Sequence, residues 1–104
     1  MKSIRIGGAS GYWGESDMAV PQLLAAGGLD VIVFDYLAEI TMSILARARA
    51  RDPDAGYARD FVDPAMASIV REVAARGIKI ISNAGGMTPE ACRRALEAVA
   101  REAG

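Results

Sequence analysis

Short apolar runs alternate along this chain with longer stretches in which apolar residues recur every three or four positions. The runs are Ile4-Arg5-Ile6, Val31-Ile32-Val33-Phe34 and Ile78-Lys79-Ile80-Ile81, each the length of a strand. Helical spacing follows in three places: Ile40, Ile44, Leu45 and Ala48; Met66, Ile69, Val70 and Val73; and Cys92, Ala95, Leu96 and Val99. The pattern predicts a strand at 3–8, a helix at 17–27, a strand at 29–35, a helix at 37–51 and a polar loop at 52–62. A helix at 64–76, a strand at 78–83 and a helix at 89–103 complete the chain. Asp63-Pro64 and Thr88-Pro89-Glu90 both read as an N-cap followed by a first-turn proline, and Gly77 suits a helix C-terminus.

The order β-α-β-α-α-β-α implies one α/β domain over residues 1–104, a three-layer, Rossmann-like open sheet of three parallel strands. An uninterrupted apolar run such as residues 31–34 suits a strand covered on both faces. The expected arrangement therefore has helices on both faces, the first strand in the centre, and Ile6, Val31, Val33, Ile80 and Ile81 buried. Such a small sheet has two bare edges, so either the chain is a homo-oligomer or the remainder of a longer chain covers them. Gly104, a residue that commonly leads into another strand, favours the second expectation.

Each predicted strand breaks off into glycine and polar residues before a helix, and in a parallel sheet all three breaks meet at the carboxyl edge, where α/β proteins build their sites. The first cluster holds Gly7, Gly8, Ser10, Gly11 and Gly14, with Tyr12 and Trp13 between them. Its backbone N–H groups and the following helix make a candidate cradle for a phosphate or carboxylate. Two adjacent large aromatics in a glycine loop do not both belong in a core, so one of them is expected to face a ligand or partner. The second cluster, Asp35-Tyr36-Leu37-Ala38-Glu39, offers two carboxylates four residues apart. These suit a ribose hydroxyl, a metal or proton transfer, or else a cap and a dipole partner for the next helix. The third is Asn83-Ala84-Gly85-Gly86, where an asparagine can hold a substrate carbonyl or tie two strands together. Asp35, Glu39 and Asn83 are thus the catalytic candidates. Gly8, Ser10, Gly11, Tyr12, Trp13, Tyr36, Gly85 and Gly86 are the ligand-binding ones, for a small molecule of anionic character. Cys92 lies on an apolar helix stripe and reads as packing. The loop Asp52–Phe61 is long enough to act as a lid or to be a plain surface excursion.

Composition narrows the chemistry. The 104 residues contain no histidine, so no imidazole base, histidine triad or histidine-ligated metal can come from this chain, and a carboxylate is the simplest base. No metal-ligand set and no particular cofactor is assigned. Twelve basic against thirteen acidic residues leave no footprint for nucleic acid or a membrane surface. A single cysteine rules out an internal disulfide, and Met1-Lys2-Ser3-Ile4 shows no signal-type apolar segment, so a cytoplasmic location is expected.

Four ordered motifs resemble the acyclic terpene utilisation (AtuA-type) family: Gly7-Gly8-Ala9-Ser10-Gly11-Tyr12-Trp13-Gly14, Phe34-Asp35-Tyr36-Leu37-Ala38-Glu39, Gly56-Tyr57-Ala58-Arg59-Asp60-Phe61, and Asn83-Ala84-Gly85-Gly86 with Pro89-Glu90-Ala91-Cys92. The resemblance implies the N-terminal part of a longer family domain. It also implies a role in bacterial breakdown of citronellol- and geraniol-type terpenoids through acyl-CoA intermediates, without assigning a reaction. The rival is a short-chain-dehydrogenase-like NAD(P)-binding domain, suggested by the glycine loop, Asp35 and Ser82-Asn83-Ala84-Gly85. Against it stand the glycine spacing, a missing strand and the lack of a Tyr-x-x-x-Lys pair. A third alternative is a non-catalytic subunit or interaction domain.

Overall fold

The computed structural model describes residues 3–11 and 18–104. Three strands, β1 (Ile6–Ser10), β2 (Val31–Phe34) and β3 (Lys79–Ser82), form one parallel sheet in the order β1-β2-β3. Helix α1 (Ala19–Ala26) joins β1 to β2. Helices α2 (Glu39–Arg51) and α3 (Ala67–Arg76) lie between β2 and β3, and α4 (Pro89–Ala103) follows β3. The α/β class and the parallel sheet agree with the sequence reading. The central strand is β2, however, not β1, because both crossovers advance in the same direction instead of reversing around the first strand.

That strand order also decides where the helices go. Right-handed crossovers that advance without reversal deposit their helices on one side of the sheet. Val20 and Leu24 of α1, Ile69 and Val73 of α3 and Cys92 of α4 share a single core with Ala9, Ile32 and Phe34. The cross-strand rows show the consequence. Gly7, Ile32 and Ile80 are register partners and face the helices, whereas Ile6, Val31 and Lys79 form the neighbouring row on the other face. There Ile6 is 64% exposed and Ile81 58%. The expected helices on both faces, and the expected burial of Ile6 and Ile81, therefore do not hold among the described residues. Val31, Val33 and Ile80 are half-buried, and the fully covered positions of β2 are Ile32 and Phe34.

The helices end where their chemistry says they should, with two exceptions, both at N-termini. Thr88 stands at the N-cap of α4 but makes no side-chain cap hydrogen bond, and its buried Oγ1 has no partner among the described residues. Pro21 is accommodated in the first turn of α1, where its missing N–H costs nothing. Arg76 on α3 reaches across to the other end of that helix, its Nη1 donating to the Leu24 carbonyl at 2.8 Å. Gly77 closes α3 with left-handed backbone, and Ile78 N–H bonds back to the Val73 carbonyl. The other exception is the start of α3. Asp63 does not cap it: the chain enters through a kinked segment, Phe61–Met66, in which Asp63 is extended and Phe61, Val62 and Met66 are buried. On α2 the buried positions are Thr41 and Leu45, while Ile40 and Ile44, expected in the core, are 72% and 46% exposed. Among the described residues no helix is long and apolar enough to cross a membrane.

Candidate functional site

The carboxyl ends of the three strands meet. Ser10 at the end of β1 pairs with Phe34, and its carbonyl accepts the Asp35 N–H at 3.1 Å. In return Ser10 Oγ donates a long bond, 3.5 Å, to the Asp35 carbonyl. Asn83, directly after β3, completes the junction. Its Nδ2 donates to Asp35 Oδ1 at 2.9 Å, and its Oδ1 accepts the Tyr36 N–H at 2.9 Å. This pair of bonds fixes the amide orientation, since only the oxygen can accept from a backbone N–H and only the nitrogen can donate to a carboxylate.

One amide thus ties the end of β3 to the residues that follow β2, 47 and 48 positions away in sequence. Asp35 and Asn83 are both exposed, so the junction faces solvent. Asp35 Oδ2 has no hydrogen-bond partner among the described residues. Chemically, the arrangement presents a carboxylate with one oxygen held and the other available to accept a proton or a ligand's donor. The Ser10 hydroxyl bonds to the main-chain carbonyl of Asp35.

The remaining candidates divide. Tyr36 turns its ring into the core, stacked on Phe34 (centroids 6.0 Å apart) and edge-on to Phe61 at 5.9 Å. Its backbone N–H, not its ring, joins the junction. Glu39 occupies the first turn of α2, exposed and outside the hydrogen-bonded group. Gly8 is exposed with open space where a Cβ would stand, and Gly11 is exposed at the bend after β1. Tyr12, Trp13 and Gly14 fall outside the described residues.

Gly85 and Gly86 are held by packing. A Cβ on Gly85 would lie 2.9 Å from Pro89 Cα, and one on Gly86 would lie 2.8 Å from the Gly56 carbonyl oxygen. The 52–60 loop is anchored on this turn, with Ala58 N–H on the Ala84 carbonyl and Met87 N–H on the Gly56 carbonyl, both 2.8 Å. Ala58 and Ala84 are almost wholly buried at this contact. Sequence reasoning missed the anchoring role of Gly56, Ala58 and Ala84; small residues in both segments were the only signal.

Beside the same turn a cavity of about 270 Å³ opens between β3 and α4, lined by Phe61, Ile80, Pro89, Cys92 and Leu96 with Ser82 among them. Ser82 Oγ accepts the Ala84 N–H at 3.0 Å, shaping the turn. Burial pushes the Cys92 thiol above its ordinary value, which keeps it protonated and suits packing rather than nucleophilic chemistry.

With this geometry in view, comparison with known families is decisive on one point. Residues 4–104 match the family described as acyclic terpene utilisation family protein AtuA. The chain belongs to that family. The match spans all three strand ends, so the junction of Ser10, Asp35 and Asn83 lies wholly inside the family's own sequence. No curated protein and no solved structure matches the chain. The family is described by acyclic terpene utilisation, and the arrangement of side chains has to supply any further chemistry.

Proposed function

We propose that the chain serves the breakdown of acyclic terpenoids of the citronellol and geraniol type by binding, or acting on, an anionic or acyl-CoA-type small molecule at the carboxyl edge of its sheet. The observation that carries the reading is the Asp35 carboxylate, held through Oδ1 by Asn83 and, among the described residues, open at Oδ2. Membership of the acyclic terpene utilisation family supplies the pathway. In a chain without histidine, Asp35 is the simplest group to move a proton. Asn83 acts as a positioning residue: it fixes the carboxylate and spends its amide oxygen on Tyr36, so it does not reach a ligand through that atom. In the 84–87 turn the Ala84, Gly86 and Met87 N–H groups are taken by Ser82 Oγ and by the Asn83 and Gly56 carbonyls, which leaves the Gly85 N–H, away from the like charge of Asp35, to meet the anionic end of the ligand.

The test is Asp35→Asn, introduced into the source organism. The amide keeps the size of the side chain and can still accept from Asn83, but it cannot take up a proton. Growth on citronellol as sole carbon source should be lost and growth on succinate unchanged, with the purified variant melting within a few degrees of wild type. Undiminished growth on citronellol would overturn the assignment. Loss of folding would make Asp35 a structural residue and remove it from the chemistry.

A further inference from the structure

Small residues keep the cavity beside the 84–87 turn open. Ile80 and Ser82 alternate on β3, so both face the helical layer, and Cys92 and Leu96 stand one turn apart on the side of α4 that meets them. Around the end of the strand the lining is Ser82, Ala84 and Gly85, none of which carries enough side chain to fill the space. The rest is an apolar wall made chiefly by Phe61, Ile80, Cys92 and Leu96. Two donors in this lining are unspent. The Gly85 N–H has no acceptor among the described residues, and the Ser82 hydroxyl, whose oxygen takes the Ala84 N–H at 3.0 Å, still has its own hydrogen to give. Gly85 supplies the next amide along the chain, which brings both donors to one end of the cavity. Arg93, also in the lining, is tied to Glu90 and Glu97 and adds no unpaired charge. Unpaired donors beside an apolar wall call for a group that supplies an oxygen to the one and a hydrocarbon chain to the other.

We infer that this cavity is an acyl-chain subsite: an acyl oxygen of the ligand accepts from the Gly85 N–H and the Ser82 hydroxyl, while its hydrocarbon chain lies against Phe61, Ile80, Cys92 and Leu96. The inference rests on the reading that an acyl-type small molecule binds at the carboxyl edge, and it adds which part of that molecule is read and by which residues. Asn83, whose amide holds Asp35, stands between Ser82 and Gly85 in sequence, so the subsite is joined directly to the Asp35 junction. A free carboxylate and a thioester both offer the required oxygen. Size limits the rest of the occupant. Pockets for drug-sized ligands run from about 300 to 1,000 Å³. At about 270 Å³ this cavity takes an acyl chain of modest length and leaves the nucleotide of a CoA ester outside.

Calorimetric titration of the purified full-length protein tests the subsite. The ligands are straight-chain acids lengthened by one methylene at a time from butanoic to dodecanoic, each supplied as the free acid and as its CoA thioester. Affinity should rise about fourfold per methylene while the chain still enters the cavity, then level off. The form of the acid that shows this gradient identifies the source of the oxygen. Leu96→Trp takes up cavity space and should move the plateau to shorter chains, weakening the longest by at least about tenfold. Leu96→Ala should move the plateau to longer ones. Leu96 is only partly buried, and circular dichroism checks that each variant keeps its fold. If one does not, the other still decides, because each must shift the plateau in its own direction. Affinity indifferent to chain length, a plateau unmoved in a folded Leu96 variant, or no binding of any compound would each overturn the subsite. Asp35→Asn in the same titrations keeps the two readings apart. A flat series that Asp35→Asn still weakens defeats the subsite and leaves the Asp35 reading standing, whereas a gradient that Asp35→Asn leaves untouched defeats that reading and supports the subsite.

Discussion

Gly86→Ala tests whether the glycine pair after Asn83 is there for packing. Gly86 has φ +52°, a left-handed conformation that a side chain makes unfavourable by about 1–2 kcal/mol. The added Cβ would also stand 2.6 Å from Leu45 Cδ1 and 2.8 Å from the Gly56 carbonyl oxygen. Neither neighbour can retreat easily. Leu45 is among the most deeply buried side chains, and the Gly56 carbonyl is held by the Met87 N–H at 2.8 Å. Overpacking of this kind costs roughly 1–3 kcal/mol. The sum is about 2–5 kcal/mol, which in a domain of this size lowers the melting temperature by at least about 8 °C. Gly77→Ala separates the two contributions, because Gly77 is also left-handed (φ +69°) but has nothing within 4 Å of its missing Cβ. It should lose only the conformational part, about 1–2 kcal/mol. Gly8→Ala, with ordinary backbone and open space, should be within about 0.5 kcal/mol of wild type. Urea titrations followed by circular dichroism give all three values. If Gly86→Ala is no worse than Gly77→Ala, the packing argument fails and the turn's glycines need another explanation.

Two further outcomes follow from the same geometry. Asn83→Ala removes both bonds of the strand tie, so it should cost about 1–3 kcal/mol in the same titration; a loss below about 0.5 kcal/mol would show that the tie is idle. For Cys92 the folded value is raised by burial, so the unfolded chain gives up its proton first. The stability this contributes is intact below about pH 8.5 and lost as pH rises through the folded value. Comparing wild type with Cys92→Ala across that range should show the extra alkaline loss in wild type alone, and native protein should react with iodoacetamide more slowly than urea-unfolded protein.

Much of the fold is written in residue spacing, and the failures have identifiable causes. The second and third strand runs and the α3 and α4 stripes are placed correctly, because short apolar runs and a 3.6-residue spacing differ clearly over those lengths, whereas β1 runs Ile6–Ser10, beginning only at the end of its apolar run. Strand order is different: nothing local in Ile4–Ile6 or Val31–Phe34 says which strand is central, since crossover direction is a property of the assembled chain. The uninterrupted run Val31-Ile32-Val33-Phe34 carries no alternation, so it hides that only Ile32 and Phe34 are fully covered. On α2 the buried side runs through Thr41 and Leu45; the expected stripe held Leu45 but also the bulky Ile40 and Ile44, which lie exposed. At the junction, Ser10, Asp35 and Asn83 were readable as strand-end polar residues. Their mutual bonds were not, because hydrogen bonds across 25 to 48 residues depend on register. Glycine itself was ambiguous, since a turn that must approach a ligand and one that must approach Gly56 and Leu45 select the same residue.

The account's central claim is that the carboxyl edge around Asp35 is where this chain meets its small molecule, and amide chemical-shift mapping addresses it directly. Isotope-labelled protein would be titrated with geranic acid and, separately, with its CoA thioester, following the backbone N–H signals of Ser10, Asp35, Tyr36, Asn83 and Ala84–Met87. The account predicts saturable shifts concentrated on those residues and abolished or strongly weakened in Asp35→Asn. Shifts confined to other parts of the sheet or helices, or none with either probe, would contradict it.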